Sequence, residues 1–156
     1  MASLVYNEAK RKLLDGTLDL TTDTIIVMLV TASYVANVDH DFVDEAGAND
    51  PIDHELTGTG YTAGHGNSGR KTLAAKAFST DDANDRGEFD DTADITWTAI
   101  TAGTAAAAII HRVGTADDTT ALLIAYIDTG GFPVVTNGGD FTIQWNAEGI
   151  LQLAGV

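Results

Sequence analysis

The longest unbroken apolar run in the chain, Ile25-Ile-Val-Met-Leu-Val30, is the length of a strand. A membrane-crossing helix needs roughly 20 apolar residues in a row, so no membrane span is expected. The run is rich in β-branched side chains and carries no polar alternation. It predicts a strand over 24–31 buried on both faces. The remaining apolar segments are equally short. Strands are expected near 54–57 and 70–78, and over 86–91, 94–101, 105–112, 122–128, 140–145 and 149–154. The turn signals "TGGFP", "TNGG" and "NAEG" separate the last of them. Within 94–101, Ile95, Trp97 and Ala99 alternate with Thr96, Thr98 and Ile100, the spacing of a pleated strand. The alanine run at 105–108 favours helix by propensity, but its β-branched continuation and flanking Gly103 and Gly114 favour a strand.

Only the opening segment has helical spacing. Leu4, Val5, Ala9, Leu13 and Leu14 share a face over 3–14, with Ser3 placed to cap the start and Gly16 to end it. Residues 33–69 are irregular, rich in Asp, Gly and Asn, with isolated apolar anchors at Tyr34, Phe42, Val43, Ile52, Leu56 and Tyr61. A connection of that length folds into subelements or serves as an interaction arm. The expected architecture is mainly β. A single domain over 1–156 forms a β-sandwich or partly open barrel, with one short N-terminal helix, a long irregular arm and antiparallel strands over 70–154.

Charge narrows the function classes. Twenty-three acidic side chains against eight basic ones give a formal net charge of −15. Such a chain is repelled by nucleic acid and by anionic membrane, so neither is expected as a partner. There are no cysteines, which removes disulfides and thiolate metal sites.

The stretch "TAGHGNSGRKT", residues 62–72, is the nearest approach to a nucleotide site. Gly64 and Gly69 have phosphate-loop spacing, but Arg70 stands where the lysine belongs and Lys71 where a Ser or Thr would hold magnesium. The glycines read better as tight backbone. Arg70 and Lys71 then read as positive points that pair internally or face a partner. From Asp82, "DANDRGEFDDTA" imitates a calcium loop at its first, third and sixth positions, but Arg86 and Ala93 occupy the fifth and twelfth. A looser metal site from Asp81, Asp82 and Asp85 is the candidate left, against a plain solvated turn. Asp39, His40, Asp41, Asp44 and Glu45 are hard ligands in a loop that is ordinarily just exposed. His65 and His111 fall in no pattern with a nucleophile. No catalytic residue and no cofactor are expected. The aromatic side chains are dispersed, and Trp145 is placed to cover an open end of the core.

Several strings follow one another along the chain: "TIIVMLVTASY", "DHDF", "ELTGTGYTAG", "GRKTL", "DITWTAITAGTAAAAII" and "LLIAYIDTGGFP" with "GGDFTIQWNAEGILQL". On these, nearly the whole chain resembles small virion structural proteins of tailed bacteriophages. The resemblance implies a non-enzymatic component of the particle. It is of the head decoration (cement) type, bound to the major capsid protein on the outer capsid surface, or else a tail-associated, host-adsorption component that binds carbohydrate. It also makes Gly58, Gly60, Tyr61, Trp97, Asp140 and Trp145 look structural. A capsid site suggests a homotrimer at a local three-fold. The partner-facing candidates are Tyr34, Phe42 and Tyr61 in the irregular segment, Arg70, Lys71, and Ala106 and Ala108, where small side chains let sheets approach. An interior strand is the alternative for the alanines. Tyr34 and Tyr61, beside acidic loops, are the glycan-binding candidates.

Overall fold

The computed structural model describes residues 2–45, 47 and 49–154. Twelve short strands and one helix follow in order: β1 (Leu4–Val5), α1 (Asn7–Leu14), β2 (Ile25–Val30), β3 (Lys71–Thr72), β4 (Lys76–Asp81), β5 (Arg86–Asp91), β6 (Ile95–Trp97), β7 (Thr104–Ala105), β8 (Ala107–Arg112), β9 (Leu123–Ile127), β10 (Val134–Val135), β11 (Phe141–Ile143) and β12 (Leu151–Ala154). All strand pairs are antiparallel. The main sheet has five strands in the order β1-β9-β8-β2-β3, and a second sheet runs β12-β5-β4. Two-stranded ribbons, β10-β7 and β11-β6, complete a sandwich-like arrangement, and among the described residues no sheet closes into a barrel.

The apolar run becomes β2, which pairs with β8, and β8 in turn pairs with β9; nearly every residue of the three is buried. The alanine segment is thus interior: β7 and β8 meet at Ala106, whose N–H donates to the Val30 carbonyl at 2.8 Å.

Several expectations are corrected. The helix begins at Asn7, not residue 3, because Leu4 and Val5 pair with Tyr126 and Ala125 and complete the sheet edge. Those cross-chain hydrogen bonds override a modest helical propensity. Ser3 is consequently no cap; its hydroxyl donates to Asp128 Oδ1 at 2.5 Å. Residues 51–54 form a 3-10 turn, leaving Glu55 only a single bridge to Val30. The expected strand over 70–78 is divided between β3 and the start of β4. The alternation over 94–101 stops after Trp97, since Ala99 adopts φ 49° and turns the chain so that Ile100, not Ala99, is buried.

The irregular segment is not a projecting arm. The Leu56 N–H donates to the Leu29 carbonyl at 2.8 Å, the Val43 N–H to that of Ala121 at 2.9 Å, and the Leu123 N–H to that of Asp41 at 2.9 Å. Val43, Leu56 and Tyr61 are fully enclosed. Their burial straps the segment across the ends of β2 and β9.

Candidate functional site

Two places carry unusual chemistry: an enclosed ionic cluster and an open apolar groove. The cluster answers what "TAGHGNSGRKT" does. Gly69 is required at a close approach, since a Cβ there would lie 2.5 Å from the Thr62 carbonyl oxygen and from the Tyr61 ring. Its own carbonyl accepts the Trp97 indole N–H at 2.5 Å. The backbone so pinned turns Arg70 inward.

Arg70 Nε and Nη2 donate to the two oxygens of Glu55 at 2.9 and 2.7 Å. Nη1 and Nη2 donate to the two of Asp118 at 2.6 and 2.9 Å. All three side chains are at most 3% exposed. Glu55 also accepts from the Tyr61 hydroxyl at 3.0 Å and the Gly64 N–H at 2.9 Å, while Tyr61 Oη accepts the Leu29 N–H at 2.9 Å. His65 Nδ1 stands 3.4 Å from Asp118.

Burial by itself raises the Asp118 carboxyl, but the hydrogen bonds and charge of Arg70 outweigh it and hold the carboxyl below its ordinary range. Burial likewise opposes charge on Arg70, and the two carboxylates outweigh it and push its pKa up. Nearby His111 is wholly buried. Burial first, then the Arg70 guanidinium, lowers its pKa to about 4, so the ring is neutral near pH 7. With both carboxylates engaged and the guanidinium shared between them, the cluster is a clamp between the strapping segment and the 3-10 turn Asp118–Thr120.

The groove has the opposite character. It is a depression of about 650 Å³ between α1 and the β12-β5-β4 sheet. Register explains it. Phe78, Phe89 and Leu151 lie side by side across the three strands, and the next row on that face is Thr80, Gly87 and Leu153. The central Gly87 has no side chain, and a Cβ added there meets nothing within 4 Å. The hollow left by Gly87 is walled by Phe78 and Leu153, 52% and 78% exposed, and by Leu14 of α1, 86% exposed. Phe78 leans on Phe89 with centroids 5.3 Å apart. Large apolar side chains gathered round a depression mark a contact surface more strongly than the same residues scattered.

The sequence-derived candidates divide accordingly. Tyr34, Tyr61, Arg70 and Ala108 are interior, so each is corrected as a partner-facing residue, and Tyr34 and Tyr61 are equally unsuited to stacking on a glycan. Tyr34 instead shares a 2.8 Å hydrogen bond with Tyr6. Phe42, Lys71 and Ala106 are half-buried; Phe42 bridges to Leu122 and Lys71 pairs opposite Val27. None of these residues lines the groove.

Among the metal candidates, Asp81 accepts from the N–H groups of Ala83 and Asn84 and pairs with Arg86 at 2.9 Å. Its carboxylate therefore stabilises the β4–β5 turn. Glu45 accepts the N–H groups of Asp41 and Phe42 and fixes its own loop. Among the described residues, no three His, Asp or Glu side chains converge on a metal position. Sequence reasoning missed the groove, whose only local signal is the exposed Phe78 beside a glycine in the next strand. No family model, no curated protein and no solved structure matches this chain.

Proposed function

We propose that this chain is a virion structural protein of a tailed phage, a capsid decoration protein that grips the outer head surface through the groove between α1 and the β12-β5-β4 sheet. The observation that carries the reading is the open apolar depression at Gly87 on an otherwise strongly acidic molecule. Phe78, Leu14 and Leu153 supply contact area, and burying each fully would contribute about 1.5–3 kcal/mol. The net charge of −15 selects a partner whose apolar contact is rimmed by basic side chains. The major capsid protein is the assigned occupant, and three copies around a local three-fold would repeat the contact. Modest individual contacts suffice in such a lattice, because each further anchor binds at high effective concentration. The resemblance to phage virion proteins supports the same reading independently of the groove.

Sedimentation of the protein with heads stripped of decoration tests it directly. Wild type should bind and release progressively as salt screens the charge contact. Gly87→Val puts bulk into the hollow at a position where an added Cβ meets nothing within 4 Å, and should fold normally yet lose head binding. Unchanged attachment of Gly87→Val would remove the groove from the interface. Density for this chain confined to the tail in virion images would overturn the decoration reading itself.

A further inference from the structure

A second depression, of about 500 Å³, lies beside the end of β9, away from the groove. Its volume falls within the range of about 300–1,000 Å³ typical of small-ligand sites. Its floor is apolar, from the largely buried Ile127 and Ile143, and its walls include the half-buried rings of Phe132 and Trp145. The Trp145 indole N–H donates to the Ala93 carbonyl at 3.1 Å. The ring's polar edge is thus satisfied internally and its carbon surface is left to the cavity. Around the rim stand Asp128, Gln144 and Asn146, all exposed.

We propose that this cavity binds a neutral saccharide. A hexose has one face of C–H groups and a perimeter of hydroxyls. An aromatic wall suits the first, because the ring excludes water from apolar area and its negative π-face attracts the C–H edge. Carboxylate and amide side chains suit the second. Asp128 Oδ1 already accepts the Ser3 hydroxyl, Asn146 Oδ1 the Glu148 N–H, and Gln144 Nε2 donates to Asp94. This leaves Asp128 Oδ2 and Gln144 Oε1 to accept from sugar hydroxyls and Asn146 Nδ2 to donate to them. A purely apolar ligand would cover the remaining polar atoms of these rim groups and offer them no hydrogen bond. An anionic ligand meets Asp128 at the rim and a net charge of −15 behind it. The site rests on its own residues and stands whether or not the protein decorates a capsid.

The two tryptophans give the test an internal control, since Trp97 is fully enclosed while Trp145 lines the cavity. The indole N–H signals of the full chain are followed by proton–nitrogen correlation NMR. The titrants are glucose, galactose, N-acetylglucosamine and its β-1,4-linked dimer, with sialic acid as the anionic control. The expected result is a saturable shift of Trp145 with at least one neutral sugar, while Trp97 stays fixed. Asp128→Ala should weaken that affinity about tenfold, as loss of a charge-assisted hydrogen bond does. Trp145→Ala should abolish the response in the neighbouring backbone signals, and Asp128→Ala, at an exposed position, keeps the test open should that variant fold poorly. No Trp145 shift with any neutral sugar at tens of millimolar overturns the proposal. So does binding that is indifferent to Asp128→Ala, or stronger for sialic acid. Movement of the Trp145 signal with protein concentration alone would assign the cavity to self-association and also overturn it.

Discussion

Strands β8 and β4 each have six residues and each lie in an antiparallel sheet, yet one is almost wholly buried and the other has no fully buried residue. The cause is what covers them. β8 runs between β9 and β2, with α1 packed on β9 and the irregular segment strapped across the sheet's ends. β4 is an edge strand, and the face it shares with β5 and β12 is interrupted by Gly87, so no neighbour fills the space above it. Strand length and β-propensity thus do not decide burial in this molecule. The second sheet leaves apolar side chains in water where the first encloses even an ion cluster, and this contrast locates stability in one region and contact in the other.

The contrast breaks most visibly at Arg70. Arg70→Ala strands Glu55 and Asp118 as buried carboxylates without their counter-charge, which costs about 3–5 kcal/mol. For a chain of this length that is a fall in melting temperature on the order of 10 °C, read by thermal and denaturant unfolding. A loss under about 1 kcal/mol would mean the strap is held by its apolar contacts and backbone hydrogen bonds without help from the ion cluster.

A pH series sharpens the same side. His111 is neutral in the folded chain down to about pH 4, whereas its ordinary pKa is 6.5. Between those values the unfolded chain takes up a proton that the folded chain refuses, so stability falls as pH drops through that window, by up to roughly 3 kcal/mol. Asp118, with its lowered pKa, adds a further loss as pH falls from the ordinary carboxylate range through its folded value. Denaturant midpoints measured from about pH 7.5 down to about pH 4 should show the slope in wild type, and His111→Leu should flatten it above the carboxylate range.

The smallest stability effect is expected in the second sheet. Leu153→Ser removes an exposed apolar side chain and should change unfolding free energy by no more than about 0.5 kcal/mol, while weakening attachment to stripped heads. A large loss of stability instead would show that Leu153 belongs to the core and not to a contact surface.

Legibility in the sequence follows the same division. The main sheet was readable because Ile25–Val30 and Leu123–Ile127 are continuous apolar runs, a pattern few environments other than a sheet interior accept. The turn after β11 was readable from its glycine and asparagine. The start of α1 was not, since Leu4 and Val5 fit a helical stripe as well as an edge strand, and Tyr126 decides between them from far along the chain. Arg70 was visible as an oddity in a glycine-rich loop, but its partners are 15 and 48 positions away. No local spacing encodes that pairing. The groove is harder still. It depends on Gly87 lying between Thr80 and Leu153, a register that exists only once β12 has docked.

The Ser3–Asp128 hydrogen bond joins residues 125 positions apart. Together with β1 pairing beside β9, it makes closure of that sheet edge depend on residues far apart in the chain meeting. Chains dominated by such distant pairings fold slowly, in about milliseconds to seconds. Until closure, β9 offers an unpaired ladder to any other nascent copy, which makes early assembly intermediates of this protein most vulnerable to aggregation along that strand.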